Sequence, residues 1–138
     1  MVYGKGSKGN YPELAKLVSK FSCFPKVKNK RSMLHIDNLC QFIKLMIDHE
    51  ESGIFFPQNG EYTNTSEMVK MIAEVKRKRL VIVPGFGWAV SFLKMIPGKV
   101  GNLTTKAFGD LYYDMDMSEY SENYRINTLK QSIEKTEK

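Results

Sequence analysis

The chain has 138 residues but only two cysteines and two histidines, and it contains no long apolar run. Cys23 and Cys40 share no metal-ligand spacing with His35 and His49. We therefore expect no metal site and no disulfide framework, which favours a reducing, cytoplasmic setting. Because a helix needs roughly 20 apolar residues to cross a bilayer, we expect no membrane span. Residues 1–4 do not resemble the start of a signal peptide.

Positive charge is in excess, but only in the first part of the chain. The formal net charge is +6, from 21 Lys+Arg against 15 Asp+Glu. Residues 1–79 hold 14 basic and 8 acidic residues, whereas residues 80–138 hold 7 of each. The excess is concentrated in two basic clusters, residues 26–31 and 76–79. This asymmetry indicates that an anionic ligand would bind the first part.

Strand and helix patterns alternate along the chain, which predicts an α/β fold. Strands are expected at residues 1–3, 32–36, 54–56 and 80–83, and the first basic cluster with the preceding Pro25 is expected to form a loop. Asn10, Asp37 and Asn64 are each predicted to cap a helix. Further helices are predicted at 86–96, at 100–112 and from about Thr128.

Gly4-x-Gly6-x-x-Gly9 matches the dinucleotide-binding fingerprint, whose mechanism needs a full strand before the first glycine. Only three residues precede Gly4, and Asp37, the next acidic residue beyond the helix, falls in a capping context. A flexible glycine turn between strand and helix is the better interpretation. Its amides, together with nearby lysines, could still line an anionic ligand.

No catalytic set of side chains is evident. His35 is best interpreted as a satisfied, partly buried histidine, and His49 as an exposed one. Neither basic cluster is interleaved with aromatics, and no nucleic-acid-binding signature is present. Arg31 differs, because it lies at the mouth of an apolar strand, where a guanidinium can offer a two-pronged contact to a phosphate. A structural ion pair is an equally good interpretation of Arg31.

Three stretches together resemble one family. Residues 1–6 resemble the Pro-x-x-Val-Tyr-Gly loop of extended short-chain dehydrogenases/reductases. Residues 31–39 are similar to their Arg-x-x-(aromatic or aliphatic)-His-Val-x-Asp-Leu segment, and residues 54–69 to their strand, Ser/Thr turn and helix. The ordered set is similar to the NAD-dependent epimerase/dehydratase family, particularly its UDP-glucose (UDP-galactose) 4-epimerase-like members. The stretch at 56–60 departs from the family's Asn-x-Gly turn, which leaves the sugar specificity open.

The resemblance implies the C-terminal part of a Rossmann-type enzyme. Residues 1–84 would be a remnant of the Rossmann core with substrate-side segments, and residues 85–138 a small, mostly helical substrate-domain region. The family's Gly-x-x-Gly-x-x-Gly loop is absent, and none of the seven tyrosines has Lys four residues later. We therefore assign no catalytic residue. The cofactor implied for the full-length enzyme is NAD, which this part would not bind tightly.

The resemblance also implies roles for five residues. Tyr3 and Gly4 would lie beside the nicotinamide and the sugar. Asn10 and Arg31 would contact the substrate diphosphate, and Arg125 is a candidate for a second diphosphate arginine, with surface exposure as the alternative.

The function implied is that of the substrate-binding half of a UDP-hexose epimerase or dehydratase that is inactive alone. The alternative is a stand-alone basic module that binds an anionic ligand or nucleic acid. For the first function we expect a UDP-sugar as partner, and no nucleic acid or membrane. Because the predicted strands are apolar enough to be buried on both faces, we also expect a homo-oligomer or a missing N-terminal half.

Overall fold

A computed structural model describes residues 1–85 and 108–138. These residues form an α/β fold, as predicted, with two separate two-stranded parallel sheets. The elements follow in the order β1 (Val2–Tyr3), α1 (Asn10–Lys20), β2 (Cys23–Pro25), β3 (Leu34–His35), α2 (Ile36–Asp48), α3 (Thr65–Val75), β4 (Val81–Val83), a 3₁₀ helix (Met115–Ser118) and α4 (Leu129–Glu137).

The two parallel sheets join segments that are far apart in the sequence. In the first, β1 pairs with β3, with Val2 opposite Leu34 and Tyr3 opposite His35. In the second, β2 pairs with β4 in the register Cys23 to Val81. The loop predicted to begin at Pro25 begins later, because Pro25 is the last residue of β2 and pairs with Val83 of β4. Pro25 ends β2, where its missing N–H removes little from the ladder.

Helix starts were predicted with mixed success. Asn64 caps α3, because its side chain accepts from the amide of Glu67 and the Glu67 carboxylate accepts from the amide of Asn64. Thr128 caps α4 in the same way. The predicted cap at Asn10 was wrong, because Gly9 is the N-cap of α1 and makes no side-chain capping bond.

The predicted cap at Asp37 was also wrong. Helix α2 begins one residue earlier, and His35 is its N-cap, with Nδ1 accepting from the Asp37 amide at 3.3 Å. A ring nitrogen therefore takes the acceptor role that we assigned to a carboxylate. The Asp37 side chain is left for contacts with other segments.

Two further predictions differ from the structure, and one lies outside it. Residues 54–56 form no regular strand. The helix predicted to reach residue 112 does not, because Leu111 forms a parallel bridge with Arg31 and its carbonyl accepts from the Ser32 amide at 2.9 Å. The helix predicted at 86–96 falls outside the described residues.

Two hydrophobic clusters fill the described interior. The larger lies where α3 packs on α1 and α4, and the smaller lies under α2 and contains Leu34, Phe42, Leu45 and Tyr124. Both cysteines are free thiols. Within residues 1–85 and 108–138, no group of side chains could hold a metal ion, and no helix is both long and apolar enough to cross a bilayer.

Candidate functional site

The site predicted at Tyr3 and Gly4 lies at the carboxyl end of the β1–β3 pair. In α/β folds, ligands bind at this end of parallel strands. The Tyr3 ring is buried, stacks on Tyr11 at 4.9 Å between ring centroids and meets the edge of His35 at 5.3 Å. Burial raises the pKa of Tyr3 to about 12. The Tyr3 ring therefore belongs to the core of this chain.

Gly4 is required by the close approach of β1 to the start of α2. A Cβ at this position would lie 2.5 Å from Cγ2 of Ile36. The turn that follows is closed by the Ser7 amide, which donates to the Gly4 carbonyl at 3.0 Å. Gly6 and Gly9 adopt φ of 76° and 113°, in the left-handed region that favours glycine. The glycine turn predicted between strand and helix is therefore confirmed.

Asn59 is hydrogen-bonded to residues of both segments that form the β1–β3 pair. Its amide donates to the Met33 carbonyl at 2.7 Å, and its Oδ1 accepts from the His35 amide at 3.1 Å. Its Nδ2 donates to the Tyr3 hydroxyl at 3.3 Å. Asn59 is fully buried, so each of these bonds replaces a bond to water that the folded chain cannot make.

Two further asparagines extend this contact through the protein. Asn38 is buried, and its Nδ2 donates to Oδ1 of Asn59 at 2.9 Å. Its Oδ1 accepts from the amide of Asn127 at 2.9 Å. We call Asn38, Asn59 and Asn127 the asparagine cluster. It fixes β3, the start of α2 and the segment before α4 relative to one another.

The asparagine cluster ends at a pair of charges on the surface. Nδ2 of Asn127 donates to the Asp37 carboxylate at 3.2 Å, and Lys135 Nζ lies 2.9 Å from the same oxygen. The hydrogen bond from Lys135 lowers the pKa of Asp37. Burial lowers the pKa of the neighbouring His35, which favours its neutral form. His35 is thus a buried capping residue rather than an acid–base group.

Arg31 lies at the opposite, amino end of the strand pair. Its side chain is buried, and its Nη1 donates to the Gly109 carbonyl at 3.3 Å. Burial lowers the pKa of its guanidinium, and the negative charge of Asp110 opposes this shift. Its backbone bonds to Thr63 in an antiparallel bridge. Two separate segments, residues 109–111 and the segment at Thr63, therefore hold Arg31 in position.

Arg125 contacts the segment at 58–60. Its Nε donates to the Gln58 carbonyl at 3.2 Å, and its Nη2 donates to Oγ of Ser118 at 2.7 Å. Both terminal nitrogens lie 3.0 Å from the Glu119 carboxylate, whose side chain is 62% exposed. Arg125 is thus engaged with protein groups, of which the Glu119 carboxylate faces solvent.

Asn10 and the basic clusters complete the predicted set. Asn10 is half-buried at the first position of α1. Lys30 Nζ lies 4.0 Å from the ring centre of Tyr62 and 4.3 Å from that of Tyr112. Lys76 pairs with Glu137 at 2.8 Å. Lys30 and Lys76 of the two basic clusters are therefore already in contact with aromatic rings and with a carboxylate.

Two comparisons show which known proteins this chain is similar to. The chain is 29% identical over 142 residues to UDP-glucose 4-epimerase of Vibrio cholerae, a match that covers 99% of this chain and 43% of that protein. The crystal structure of dTDP-4-dehydrorhamnose reductase from Bacillus anthracis, in complex with NADP, matches with a TM-score of 0.63 at 12% identity. That match covers 98% of this chain and 44% of the reductase, and it shows the fold.

The chain therefore has the α/β fold of part of that reductase. The resemblance to the epimerase/dehydratase family is thereby confirmed. No family model matches the chain. The chain spans less than half the length of the relatives that it matches.

The asparagine cluster was not predicted from the sequence. Asn38 stands where the family segment has Asp, and Asn59 lies in the stretch that departs from the family's Asn-x-Gly turn. Both departures were visible in the sequence. Their connection was not, because Asn38 and Asn59 meet only when α2 packs against the segment at 58–60.

Proposed function

We propose that this chain is the substrate-side half of an NAD-dependent nucleotide-sugar epimerase or dehydratase that acts on UDP-hexoses. The observation that carries the proposal is the similarity to UDP-glucose 4-epimerase along 99% of the chain. NAD, when bound, would supply hydride transfer. The family's NAD-binding loop and Tyr-x-x-x-Lys pair are absent from residues 1–138, so we propose that this chain alone does not turn over a sugar nucleotide.

The residues at the carboxyl end of β1 fit a supporting role in such a site. Gly4 brings the backbone against the start of α2, and Lys5 and Gly6 in the turn that follows are exposed. We propose that the backbone of Tyr3 and Gly4 borders the nicotinamide and the sugar. The Tyr3 ring holds that backbone in place through its contacts with Tyr11 and Asn59.

We propose diphosphate-binding roles for Arg31 and for Asn10, as the family resemblance implies. The guanidinium is fixed by its bond to Gly109, so its charge is pre-organised and little side-chain entropy would be lost on binding. Arg125 is proposed as the second diphosphate residue. It would exchange its exposed bonds to Glu119 for bonds to phosphate, while Gln58 and Ser118 keep the side chain in position.

The proposal is tested by calorimetric titration of UDP into the 138-residue chain and into Arg31→Ala. We expect the variant to bind about tenfold or more weakly, because a charge-assisted contact to phosphate is lost. Lys28→Ala is the matched control, since Lys28 is an exposed cation of the same basic cluster and should leave the affinity unchanged. Equal UDP binding by the chain and Arg31→Ala would contradict the diphosphate role.

Titrations of the same proteins with DNA distinguish the proposed function from the alternative, a basic module that binds nucleic acid. A basic module for nucleic acid would bind DNA more tightly than UDP, with an affinity that falls steeply with salt. It would also be weakened by Lys28→Ala. Turnover of UDP-galactose by the purified chain would contradict the proposal that it is inactive alone.

A further inference from the structure

Asn59 is followed by Gly60, and this is the only Asn–Gly pair among the eight asparagines of the sequence. In such a pair the backbone nitrogen of the glycine can approach the asparagine side chain closely, because glycine has no Cβ in the way. Gly60 is exposed, whereas Asn59 is fully buried. A chemically labile pair therefore lies at the boundary between solvent and the asparagine cluster.

The reaction open to this pair is deamidation through a cyclic imide. Hydroxide removes the proton from the Gly60 backbone nitrogen, which then attacks Cγ of Asn59. The new N–Cγ bond forms as the bond from Cγ to Nδ2 breaks, and Nδ2 takes a proton from water and leaves as ammonia. A further water then opens the imide on either side, which yields aspartate or isoaspartate at position 59. Only water is consumed, and no group is oxidised or reduced.

The folded chain holds the Asn59 side chain in an arrangement that opposes this attack. Its Oδ1 accepts from the His35 amide at 3.1 Å and from Nδ2 of Asn38 at 2.9 Å. Its Nδ2 donates to the Tyr3 hydroxyl at 3.3 Å. Closing the imide ring moves Cγ onto the Gly60 nitrogen and carries Oδ1 and Nδ2 away from these partners, which leaves buried polar groups without hydrogen bonds.

The backbone and the exclusion of water add to this barrier. The Asn59 amide donates to the Met33 carbonyl at 2.7 Å, which restricts movement of the segment at 58–60. Because Asn59 is fully buried, the water that has to open the imide does not reach Cγ. Both restraints are lost when the segment at 58–60 separates from β3.

We propose that Asn59 is a deamidation site that the asparagine cluster protects, so that it reacts only when the segment at 58–60 opens. The product makes the opening irreversible. In isoaspartate the chain runs through the former side chain and gains a methylene in the backbone, so the bonds to Met33 and His35 cannot both be restored. Aspartate would instead bury a negative charge. The reaction involves no ligand, so this inference stands apart from the proposed function.

The test is fragment-ion mass spectrometry of the tryptic peptide 45–70 after incubation in mildly alkaline buffer, with and without guanidinium chloride. The peptide also contains Asn64, which is followed by Thr and serves as an internal reference. We expect Asn59 to convert about tenfold or more slowly in the folded chain than in denaturant, because only opened molecules react. Equal rates in the two conditions would overturn the proposed protection.

Gly60→Ala tests the attacking atom. In denaturant this variant should convert at Asn59 about tenfold or more slowly than the natural chain, since the added Cβ hinders the approach of the backbone nitrogen. Equal conversion of the two chains in denaturant would overturn the assignment of the Gly60 nitrogen as nucleophile.

Two tyrosine variants test the hydrogen bonds of the cluster in the folded chain. Tyr3→Phe removes the acceptor of Asn59 Nδ2 and should raise the rate about fivefold, as the loss of one hydrogen bond predicts. Tyr11→Phe is the matched control and should leave the rate unchanged, because the Tyr11 ring stacks on Tyr3 while its hydroxyl makes no hydrogen bond within residues 1–85 and 108–138. Circular dichroism confirms that both variants are folded.

An unchanged rate in Tyr3→Phe, or an equal rise in both tyrosine variants, would overturn the role of the asparagine cluster. The comparison of the natural chain with and without denaturant decides the protection independently of either variant.

Discussion

Helix α2 has two sides that differ in what they contact. Its inner side packs Phe42 against Phe55, Tyr120 and Tyr124, with ring centroids 5.0 to 5.8 Å apart. Its outer side carries an apolar stripe that is exposed, formed by Ile36, Cys40, Ile43 and Ile47. Amphipathic helices usually expose polar residues on the outer side. The outer side of α2 therefore departs from this pattern at Ile36, Ile43 and Ile47.

The two edges of the β1–β3 pair repeat this difference. Asn59 covers the edge of β3, while no strand within residues 1–85 and 108–138 pairs with the other edge of β1. We expect the covered edge of β3 and the inner side of α2 to contribute to the free energy of unfolding of this chain. The open edge and the outer side of α2 contribute little to it, and the following predictions test that division.

The largest effect is expected on the two sides of α2. Phe42→Ala should lower the free energy of unfolding by about 3–5 kcal/mol, because it leaves a cavity among three aromatic rings. Ile43→Ala, at the adjacent position on the outer side, should change it by less than about 0.5 kcal/mol. Urea denaturation followed by circular dichroism measures both. Similar losses in the two variants would show that the outer side is already packed.

The next effect is expected at the covered edge. Asn59→Ala leaves the His35 amide and the Asn38 side chain without acceptors, and should cost about 3 kcal/mol. Asn10→Ala is the control, since Asn10 does not cap α1 and its loss should be nearly neutral. The same urea titrations decide the outcome. A neutral Asn59→Ala would mean that water replaces the asparagine and that the edge is not closed by it.

The smallest effect is expected from pH. Burial lowers the pKa of His35 below the value of about 6.5 that an unfolded histidine has. The unfolded chain therefore binds the proton more readily, so the contribution of His35 is complete above about pH 6.5 and is lost as the pH falls.

His35→Asn tests this dependence. The asparagine Oδ1 can replace Nδ1 as acceptor for the Asp37 amide without titrating. Between pH 7 and pH 5, the urea midpoint of the variant should fall less than that of the natural chain. Equal slopes would place the pH dependence on other groups.

The elements defined by local patterns were predictable. The spacing of apolar residues in α2 and α3 identified both helices, and the caps at Asn64 and Thr128 follow from side chains that reach only three residues along the chain. The family resemblance was equally readable, because the motifs at residues 1–6 and 31–39 are contiguous. The cap at His35 was missed because an imidazole is an unusual acceptor at that position.

Two features that depend on distant partners were not predicted, although the strands predicted at 1–3, 32–36 and 80–83 contain β1, β3 and β4. β2 is a strand because it pairs with β4, 58 residues later in the sequence. Leu111 lies outside the helix predicted for it because it forms a bridge with Arg31. The roles of Tyr3, Gly4, Asn10, Arg31 and Arg125 stay predictions.

The sequence by itself determined the α/β class, the helices with local caps, the basic bias of residues 1–79 and the family resemblance. These depend on residue type and on short spacings. Only the tertiary structure decided that Asn38, Asn59 and Asn127 join, that Arg31 is buried beside Gly109, and that one strand edge and one helix side stay open. A buried hydrogen bond or an exposed surface is defined by which distant segments pack together, and packing is a property of the whole fold.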